Sequence, residues 1–334
     1  MVDPDAQIAE PISGLREGCD LASAVERWKT EIELGLGRTP VVERLPAVDR
    51  ICRQYQRDGF FAPLEGLDSK EVADALAGFM RFEEKHRARV DEDSVTVMHH
   101  AWLPWLRNLA RHPAIVGAVM GAFQTNNRED IYLYNTQLLA RPAGKSLKTH
   151  MGVDWHKDGD LYTSHLAPID RMHLVTVFVA LSMCDRHHGC IRARPTSKGG
   201  EVGLQEIDLE LRPGELSLHG PSTVHTAGLN MSCETRYCVA LRYIRASTRC
   251  LHASSLGCEC VLTMDGSASG TRRSHGPENF TAMPELPGEA TEEGLALRER
   301  MLQRRRAARM QDPTDISSGL ALLGNRCLVS GAAH

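Results

Sequence analysis

The sequence contains no hydrophobic segment long enough to cross a membrane. Its longest strongly apolar run, LVTVFVALSMC at 174–184, has about half the length that a spanning helix requires. The first residues, MVDPDAQIAEPISG, do not combine a basic region with an apolar one, as a secretory signal does. We therefore expect a cytoplasmic protein with no membrane partner.

A strong net charge is also missing. The 39 Lys and Arg residues against 43 Asp and Glu residues give a formal net charge of -4. Because no excess of basic residues creates a positive field, we expect no nucleic-acid partner. The 334 residues, of which 42% are hydrophobic, are sufficient for one large globular domain or two smaller ones.

The ten cysteines follow no pattern that indicates disulfides or a zinc site. They are scattered along the chain and no export signal accompanies them, so we expect reduced thiols. The residues Cys250, His252, Cys258 and Cys260 match no common zinc spacing.

Two kinds of sequence pattern divide the middle of the chain. Residues 46–125 alternate helical periodicity with breakers, which predicts several helices, one of them capped by Asp68 or Ser69 and another interrupted at Pro113. From 130 to 248, short runs of β-branched and aromatic residues are separated by Gly, Pro and Asp, which is typical of an antiparallel sandwich or barrel. The runs lie at 131–141, 174–184, 190–195, 215–220 and 237–244. The predicted fold class is mainly β with flanking helices.

We predict one main domain with an extension on each side. Residues 1–45 form an N-terminal extension, 46–248 the main domain and 249–334 a C-terminal extension. The segment 250–290 is rich in Gly, Ser, Pro and Thr, so the C-terminal extension should be partly flexible. This extension also contains an Arg-rich helix near 291–311, which we interpret as a solvated amphipathic helix because acidic residues lie beside its arginines.

The segment WHKDGD at 155–160 contains a candidate metal-binding pair. His156 and Asp158 are two residues apart, and side chains at this spacing share one face of an extended strand. One nitrogen donor and one oxygen donor can then bind the same ion. Because His-x-Asp occurs often by chance, a further ligand is needed to make the pattern specific.

A second segment, HGPSTVHTAGLNMSCETRYCVALRY at 219–243, offers that ligand together with a basic residue. Either His219 or His225 would complete two histidines and one carboxylate, the ligand set that holds non-haem Fe(II). Arg236 follows His225 by eleven residues. An arginine on a neighbouring strand is suited to bind the far carboxylate of a dicarboxylic co-substrate through a bidentate fork.

The chain resembles the phytanoyl-CoA dioxygenase family of Fe(II)/2-oxoglutarate-dependent oxygenases, whose core is a double-stranded β-helix (jelly-roll, cupin-like). The resemblance runs through 54–72, 108–121, 130–144, 155–162, 176–200 and 211–244. It implies that His156, Asp158 and His225 bind the iron. It also implies that Arg236 binds the C5 carboxylate of 2-oxoglutarate, that O2 is the second co-substrate, and that His219 is a strand-end histidine bonded to the backbone.

The resemblance further implies which side chains surround the iron. Asn135 and Gln137, on the strand ahead of the iron motif, match polar positions on the family's inner strands, and we expect them at the C1 end of 2-oxoglutarate. Trp155 and Tyr162 flank the motif, and we expect them to line the substrate pocket.

Two positions depart from the family pattern. The family often shows Pro-Gly-Ser-His after the central hairpin, where this chain has Pro195-Thr-Ser-Lys198. The residue two positions after the distal histidine, often a serine that helps to hold the co-substrate, is Ala227. We expect Thr226 or Thr223 to supply that hydrogen bond instead.

The expected reaction is hydroxylation of an unactivated C–H bond in a small molecule, with release of succinate and CO2. Related halogenases have Ala or Gly where this chain has Asp158, which opens a position for chloride, so the carboxylate favours hydroxylation. Desaturation, epimerisation or cyclisation at the same site are alternatives, and so is a catalytically silent barrel that acts as a binding protein. We expect a substrate of specialised metabolism, because no basic patch for CoA phosphates is evident near the motif. The alternative is a patch formed by basic residues that cluster in sequence, namely Arg141, Lys145, Lys148, Arg192 and Arg194. The sequence does not indicate the oligomeric state.

Overall fold

The computed structural model describes residues 45–93, 99–101, 103–142, 153–163, 166–197, 199–251 and 262–264. Apart from Leu45, the predicted N-terminal extension lies outside these residues. Most of the predicted C-terminal extension also lies outside them, including the Arg-rich segment 291–311. The domain boundaries therefore stay predictions.

Within these ranges, most helices precede most strands along the chain. The helices are α1 Leu45–Asp58, α2 Ser69–Asp93, α3 Pro104–Ala110 and α4 Pro113–Phe123. The strands are β1 Phe60–Glu65, β2 Ile131–Arg141, β3 Val153–His156, β4 Leu166–Ala167, β5 Leu174–Ala180, β6 Ile191–Arg194, β7 Ile207–Leu209, β8 Glu215–His219, β9 Val224–Ala227, β10 Arg236–Arg245, β11 Arg249–Cys250 and β12 Leu262–Thr263. The five predicted runs correspond to β2, β5, β6, β8 and β10.

Local sequence fixes the ends of two helices. Asp68 Oδ1 accepts the Glu71 backbone N–H at 2.8 Å, and Glu71 Oε2 accepts the Asp68 backbone N–H at 2.8 Å, so α2 begins with a capping box. Pro113 separates α3 from α4 because proline lacks an N–H and fits only the first helical turn. His112 caps α4 by accepting the Ala114 N–H at its Nδ1 atom, 3.3 Å away. The structure thus confirms the predicted cap at Asp68 and the predicted break at Pro113.

Two antiparallel sheets form the core of the described part. One has six strands in the order β1-β8-β5-β10-β2-β12 and the other has four in the order β3-β9-β6-β7. Side chains from both sheets share one buried cluster, which contains Phe178, Ala180, Cys238 and Ala240 from the first sheet and Ile191, Ala193 and Leu209 from the second. The sheets therefore face each other across a barrel interior, as in a double-stranded β-helix. This arrangement confirms the predicted mainly β fold with flanking helices.

The two sheets differ in what covers their outer faces. All seven residues of β5 are buried: Val177 belongs to the cluster that includes Ile115 of α4, while Phe178 belongs to the cluster between the sheets. A strand covered on both faces needs no polar alternation, which explains the apolar run LVTVFVA. Strand β6 of the four-stranded sheet instead alternates buried and half-buried residues, because its outer face carries no helix among the described elements.

The described helices include none that is long and apolar enough to span a membrane.

Candidate metal centre

Three potential metal ligands meet where the four-stranded sheet faces the barrel interior. His156 ends β3 and is paired in register with His225 of β9, and Asp158 follows at the start of the 3-10 turn Asp158–Leu161. The Nε2 atoms of His156 and His225 lie 3.8 Å and 4.0 Å from Asp158 Oδ1. One donor atom from each residue lies within 4.8 Å of the other two, so the three side chains could hold one metal ion.

Hydrogen bonds fix which nitrogen of each histidine is free. His156 Nδ1 lies 2.8 Å from the Asp154 carbonyl oxygen, and His225 Nδ1 lies 3.0 Å from the Thr223 carbonyl oxygen. A carbonyl only accepts hydrogen bonds, so each Nδ1 must carry the proton and donate it. Both Nε2 atoms then present a lone pair toward Asp158, the tautomer that a metal ligand requires.

The Asp158 carboxylate is held through its other oxygen. Thr176 Oγ1 donates to Asp158 Oδ2 at 2.5 Å, and Arg242 Nε donates to the same oxygen at 3.4 Å. Burial raises the pKa of Asp158, but Arg242, the two histidines and the Thr176 hydrogen bond outweigh it and hold that pKa well below its usual range. The carboxylate is therefore ionised, with Oδ1 directed at the histidines.

Burial also determines the protonation of His225. It lowers the pKa of His225 below the usual value, and the nearby Asp158 carboxylate only partly opposes this effect. A neutral imidazole is the form that binds a metal ion. We call His156, Asp158, His225, Thr176 and Arg242 the metal end of the barrel interior.

Arg236 lies on the same face of β10 as Arg242, three pairs of residues away. Its side chain is buried, and its Nη1 atom donates to the Gly189 carbonyl oxygen. Its Nε atom is buried without a hydrogen-bond partner in the described part of the chain. Between the two arginines this face of β10 carries only the small residues Cys238 and Ala240. A buried guanidinium with an unsatisfied N–H is suited to bind a carboxylate.

Two nitrogen donors and one carboxylate oxygen on one side of an ion form the facial set used by non-haem Fe(II) oxygenases. The family model for phytanoyl-CoA dioxygenase matches residues 55–238, more than half of the sequence and the whole of this ligand set. The chain belongs to the phytanoyl-CoA dioxygenase family.

Solved structures share this fold. The ThoJ non-haem monooxygenase in its nickel complex is 21% identical with a TM-score of 0.64, over 78% of this chain and 99% of that one. The epimerase SnoN in complex with Fe3+, alpha-ketoglutarate and nogalamycin RO is 21% identical with a TM-score of 0.53, over 73% and 97%. CytC3 is 14% identical with a TM-score of 0.54, over 72% and 94%. At these identities the likeness shows the fold alone. No curated protein sequence matches the chain.

Asn135 and Gln137, predicted beside the co-substrate, and Tyr162, predicted in the substrate pocket, all lie around Arg242. Asn135 is directly opposite Arg242 in the β2–β10 register, its Nδ2 donates to the Tyr162 hydroxyl at 3.1 Å, and its Oδ1 is buried without a partner among the described residues. Gln137 Oε1 accepts from Arg242 Nη1 at 3.3 Å. Tyr162 is buried, which raises its pKa to about 12 and keeps the phenol neutral. These three residues surround Arg242 and thus support the carboxylate ligand from behind.

Trp155 and Thr226 lie on the outer face of the four-stranded sheet. Each is one residue from a histidine ligand, and consecutive strand residues point to opposite faces. Trp155 is 36% exposed and the guanidinium of Arg194 lies 4.2 Å from its ring centroid. Thr226 is paired in register with Arg192, whose side chain bonds Asp208 at 2.9 Å. The structure therefore brings neither residue to the face that carries the ligands.

Sequence reasoning missed Thr176 and Arg242. A signal was present, because each is a polar residue inside an otherwise apolar strand that is buried on both faces, and a buried polar group needs a partner.

His219 lies close but outside the triad: its ring stacks on that of His225 with centroids 5.3 Å apart, and its Nε2 lies 3.1 Å from Ser217 Oγ. His219 is therefore hydrogen-bonded to a side chain, whereas we expected a hydrogen bond to the backbone.

Proposed function

We propose that the protein is an Fe(II)/2-oxoglutarate-dependent dioxygenase that hydroxylates an unactivated C–H bond of a small molecule in specialised metabolism. The observation that carries the proposal is the convergence of two correctly tautomerised histidines on the free oxygen of Asp158. Family membership supports it, because the residues of this site lie within the matched segment.

The described residues fit iron and the co-substrate. His156, Asp158 and His225 would hold the metal and leave positions open for 2-oxoglutarate and O2. The unsatisfied Nε of Arg236 would receive the C5 carboxylate, at the far side of the small residues on β10. The bound cofactors supply oxidative decarboxylation of 2-oxoglutarate to succinate and CO2, together with one oxygen atom for the substrate. The protein supplies ligand geometry and orientation.

The occupied carboxylate position favours hydroxylation over halogenation. Thr176 and Arg242 fix Asp158 Oδ2, so the ligand oxygen cannot rotate away without breaking two buried hydrogen bonds. Asp158 therefore occupies the coordination position that chloride would need. The structural similarity to an epimerase from nogalamycin biosynthesis supports a natural-product substrate.

An anaerobic titration tests this function. Fe(II) and 2-oxoglutarate added to the metal-free protein should produce the visible charge-transfer band of the chelate. The band should be lost in His225→Ala and retained in His219→Gln, which serves as the matched control because its ring lies beside His225 outside the triad. A well-folded protein that gives no band would contradict the proposal and favour a silent binding protein.

Product analysis then tests the reaction. Small amines, amino acids and natural-product intermediates are incubated with enzyme, 2-oxoglutarate and O2, and succinate release is compared with the mass of the product. Hydroxylation adds one oxygen atom for each succinate formed. An unchanged mass at the same stoichiometry would assign epimerisation, and loss of two hydrogen atoms would assign desaturation or cyclisation.

A further inference from the structure

A second arginine lies beside Arg236. Arg141 is directly opposite Arg236 in the register of β2 and β10. Arg141 Nη1 donates to the Gly228 carbonyl oxygen at 3.2 Å, and Arg236 Nη1 donates to the Gly189 carbonyl oxygen. The two guanidinium groups therefore converge on a pair of glycines. We call Arg141, Arg236, Gly189 and Gly228 the arginine end of the barrel interior.

The two glycines are in direct contact, which limits how far the arginines can separate. Gly189 has φ 72°, and a Cβ at this position would lie 2.5 Å from the Gly228 carbonyl oxygen. The Gly228 N–H also donates to the Cys190 carbonyl oxygen at 3.2 Å. This glycine contact fixes the two carbonyl groups that the guanidiniums bind.

The arrangement places two like charges opposite each other. Like charges directly opposite each other in a strand pair destabilise it. Burial, and next the charge of Arg236, lower the pKa of Arg141 to about 10. Arg236 forms no ion pair with a described carboxylate, and its Nε remains unsatisfied. A bound carboxylate would offset the repulsion and satisfy that N–H.

The sequence also lacks the usual second donor for the co-substrate. Ala227 has no hydroxyl, Thr226 lies on the outer face of β9, and the Thr223 hydroxyl donates to the Gly59 carbonyl oxygen at 2.5 Å. We propose that Arg141 is a second binding residue for the distal carboxylate of 2-oxoglutarate, which it holds together with Arg236. This inference rests on the proposed function and adds to it a co-substrate site built from two arginines.

The test compares Arg141→Gln with wild-type protein and with Arg192→Gln. Arg192 is a matched control because it lies on the outer face of β6 and bonds Asp208 and Glu206. The affinity of the Fe(II) protein is measured anaerobically for 2-oxoglutarate and for pyruvate, a 2-oxo acid without the distal carboxylate. Arg141→Gln should weaken 2-oxoglutarate binding by about 10- to 100-fold, the loss of one charge-assisted hydrogen bond, and leave pyruvate binding unchanged.

Thermal unfolding gives a second readout. Added 2-oxoglutarate should raise the Tm of the Fe(II) protein less in Arg141→Gln than in wild type, whereas pyruvate should raise the Tm of both proteins equally. Arg141→Lys keeps the charge but loses the fork, so its 2-oxoglutarate affinity should fall. If Arg141→Gln does not fold, the affinity of Arg141→Lys decides the question in the same way.

The outcomes separate this inference from the function on which it rests. Unchanged 2-oxoglutarate affinity in Arg141→Gln, with weakened binding in Arg236→Gln, would overturn only the role of Arg141. Equal weakening for 2-oxoglutarate and pyruvate would also overturn it, because the effect would then not depend on the distal carboxylate. Wild-type protein that binds neither metal nor 2-oxoglutarate would overturn both proposals.

Discussion

The metal end and the arginine end of the barrel interior balance their charges in opposite ways. At the metal end the single carboxylate, Asp158, is matched by Arg242 and Thr176, and the histidines are fixed by backbone carbonyls. At the arginine end two arginines lie opposite each other in the strand register, and Arg236 has a buried N–H without a partner in the described residues. One end is preorganised before a ligand arrives, and we propose that an anion completes the other.

The difference indicates which ligand each end requires. A metal ligand set must be neutral histidine and ionised carboxylate in advance, so its supporting bonds come from the protein. A carboxylate site can remain positively charged, because the ligand brings the compensating charge. Substitutions at the two ends should therefore have separable effects on metal binding and on co-substrate binding.

The largest expected effect is at the metal end. Asp158→Ala removes the carboxylate of the candidate triad and leaves Arg242 buried without its ion-pair partner. Fe(II) affinity and turnover should fall by more than about 100-fold, since even the loss of an outer hydrogen-bond partner costs roughly 10- to 100-fold. Fe(II) titration and succinate release measure this, with the exposed neighbour Asp160→Ala as control. Normal turnover by Asp158→Ala would contradict the assignment of the triad.

The next largest effect is at the arginine end. Arg236→Gln should raise the KM for 2-oxoglutarate by about 100-fold, because a bidentate charge-assisted contact is lost, while Fe(II) affinity stays at the wild-type value. Arg192→Gln, on the outer sheet face, should change neither quantity. A fall in Fe(II) affinity in Arg236→Gln would show that the two ends are not separable.

A smaller effect is expected behind the carboxylate ligand. Arg242→Gln should weaken Fe(II) binding by roughly 10- to 100-fold, as outer hydrogen-bond partners of metal ligands generally do. Thr176→Val keeps the volume and loses only one bond to Asp158 Oδ2, so its loss should be closer to 10-fold. Both variants should keep the wild-type affinity of the arginine end for the distal carboxylate, measured as the ratio of 2-oxoglutarate to pyruvate binding at saturating metal. A changed ratio would show that substitutions at the metal end affect the arginine end through β10.

The candidate ligand set and much of the fold could be predicted from local sequence. The spacing of His156 and Asp158, the apolar strand runs and Pro113 each constrain nearby backbone directly, and resemblance to the family selected His225 from two candidate histidines. Trp155 was expected in the pocket because it flanks the iron motif, and Thr226 was expected to replace the hydroxyl that Ala227 lacks. Strand alternation places them on the other face.

The remaining residues depend on strand pairing, which the sequence does not display. Arg141 lies 95 positions before Arg236, and only the β2–β10 register brings them together. The same is true of Thr176, which reaches Asp158 because β5 pairs with β10 at Arg242. Such contacts join residues far apart in the chain, so neither local propensity nor spacing could predict them.

The smallest expected effect is at His219, which lies beside the metal end but outside the triad. His219 stacks on His225, but burial, and next the neighbouring His225, lower its pKa to about 3, so the ring is neutral and bonds Ser217 instead of a carboxylate. His219→Ala should therefore change Fe(II) affinity by less than about 10-fold, below the loss for a ligand, while the emptied volume lowers stability by about 2 kcal/mol. His225→Ala should abolish metal binding under the same conditions. Equal losses in the two variants would mean that the stacked ring, and not only the ligand atom, determines whether the metal is held.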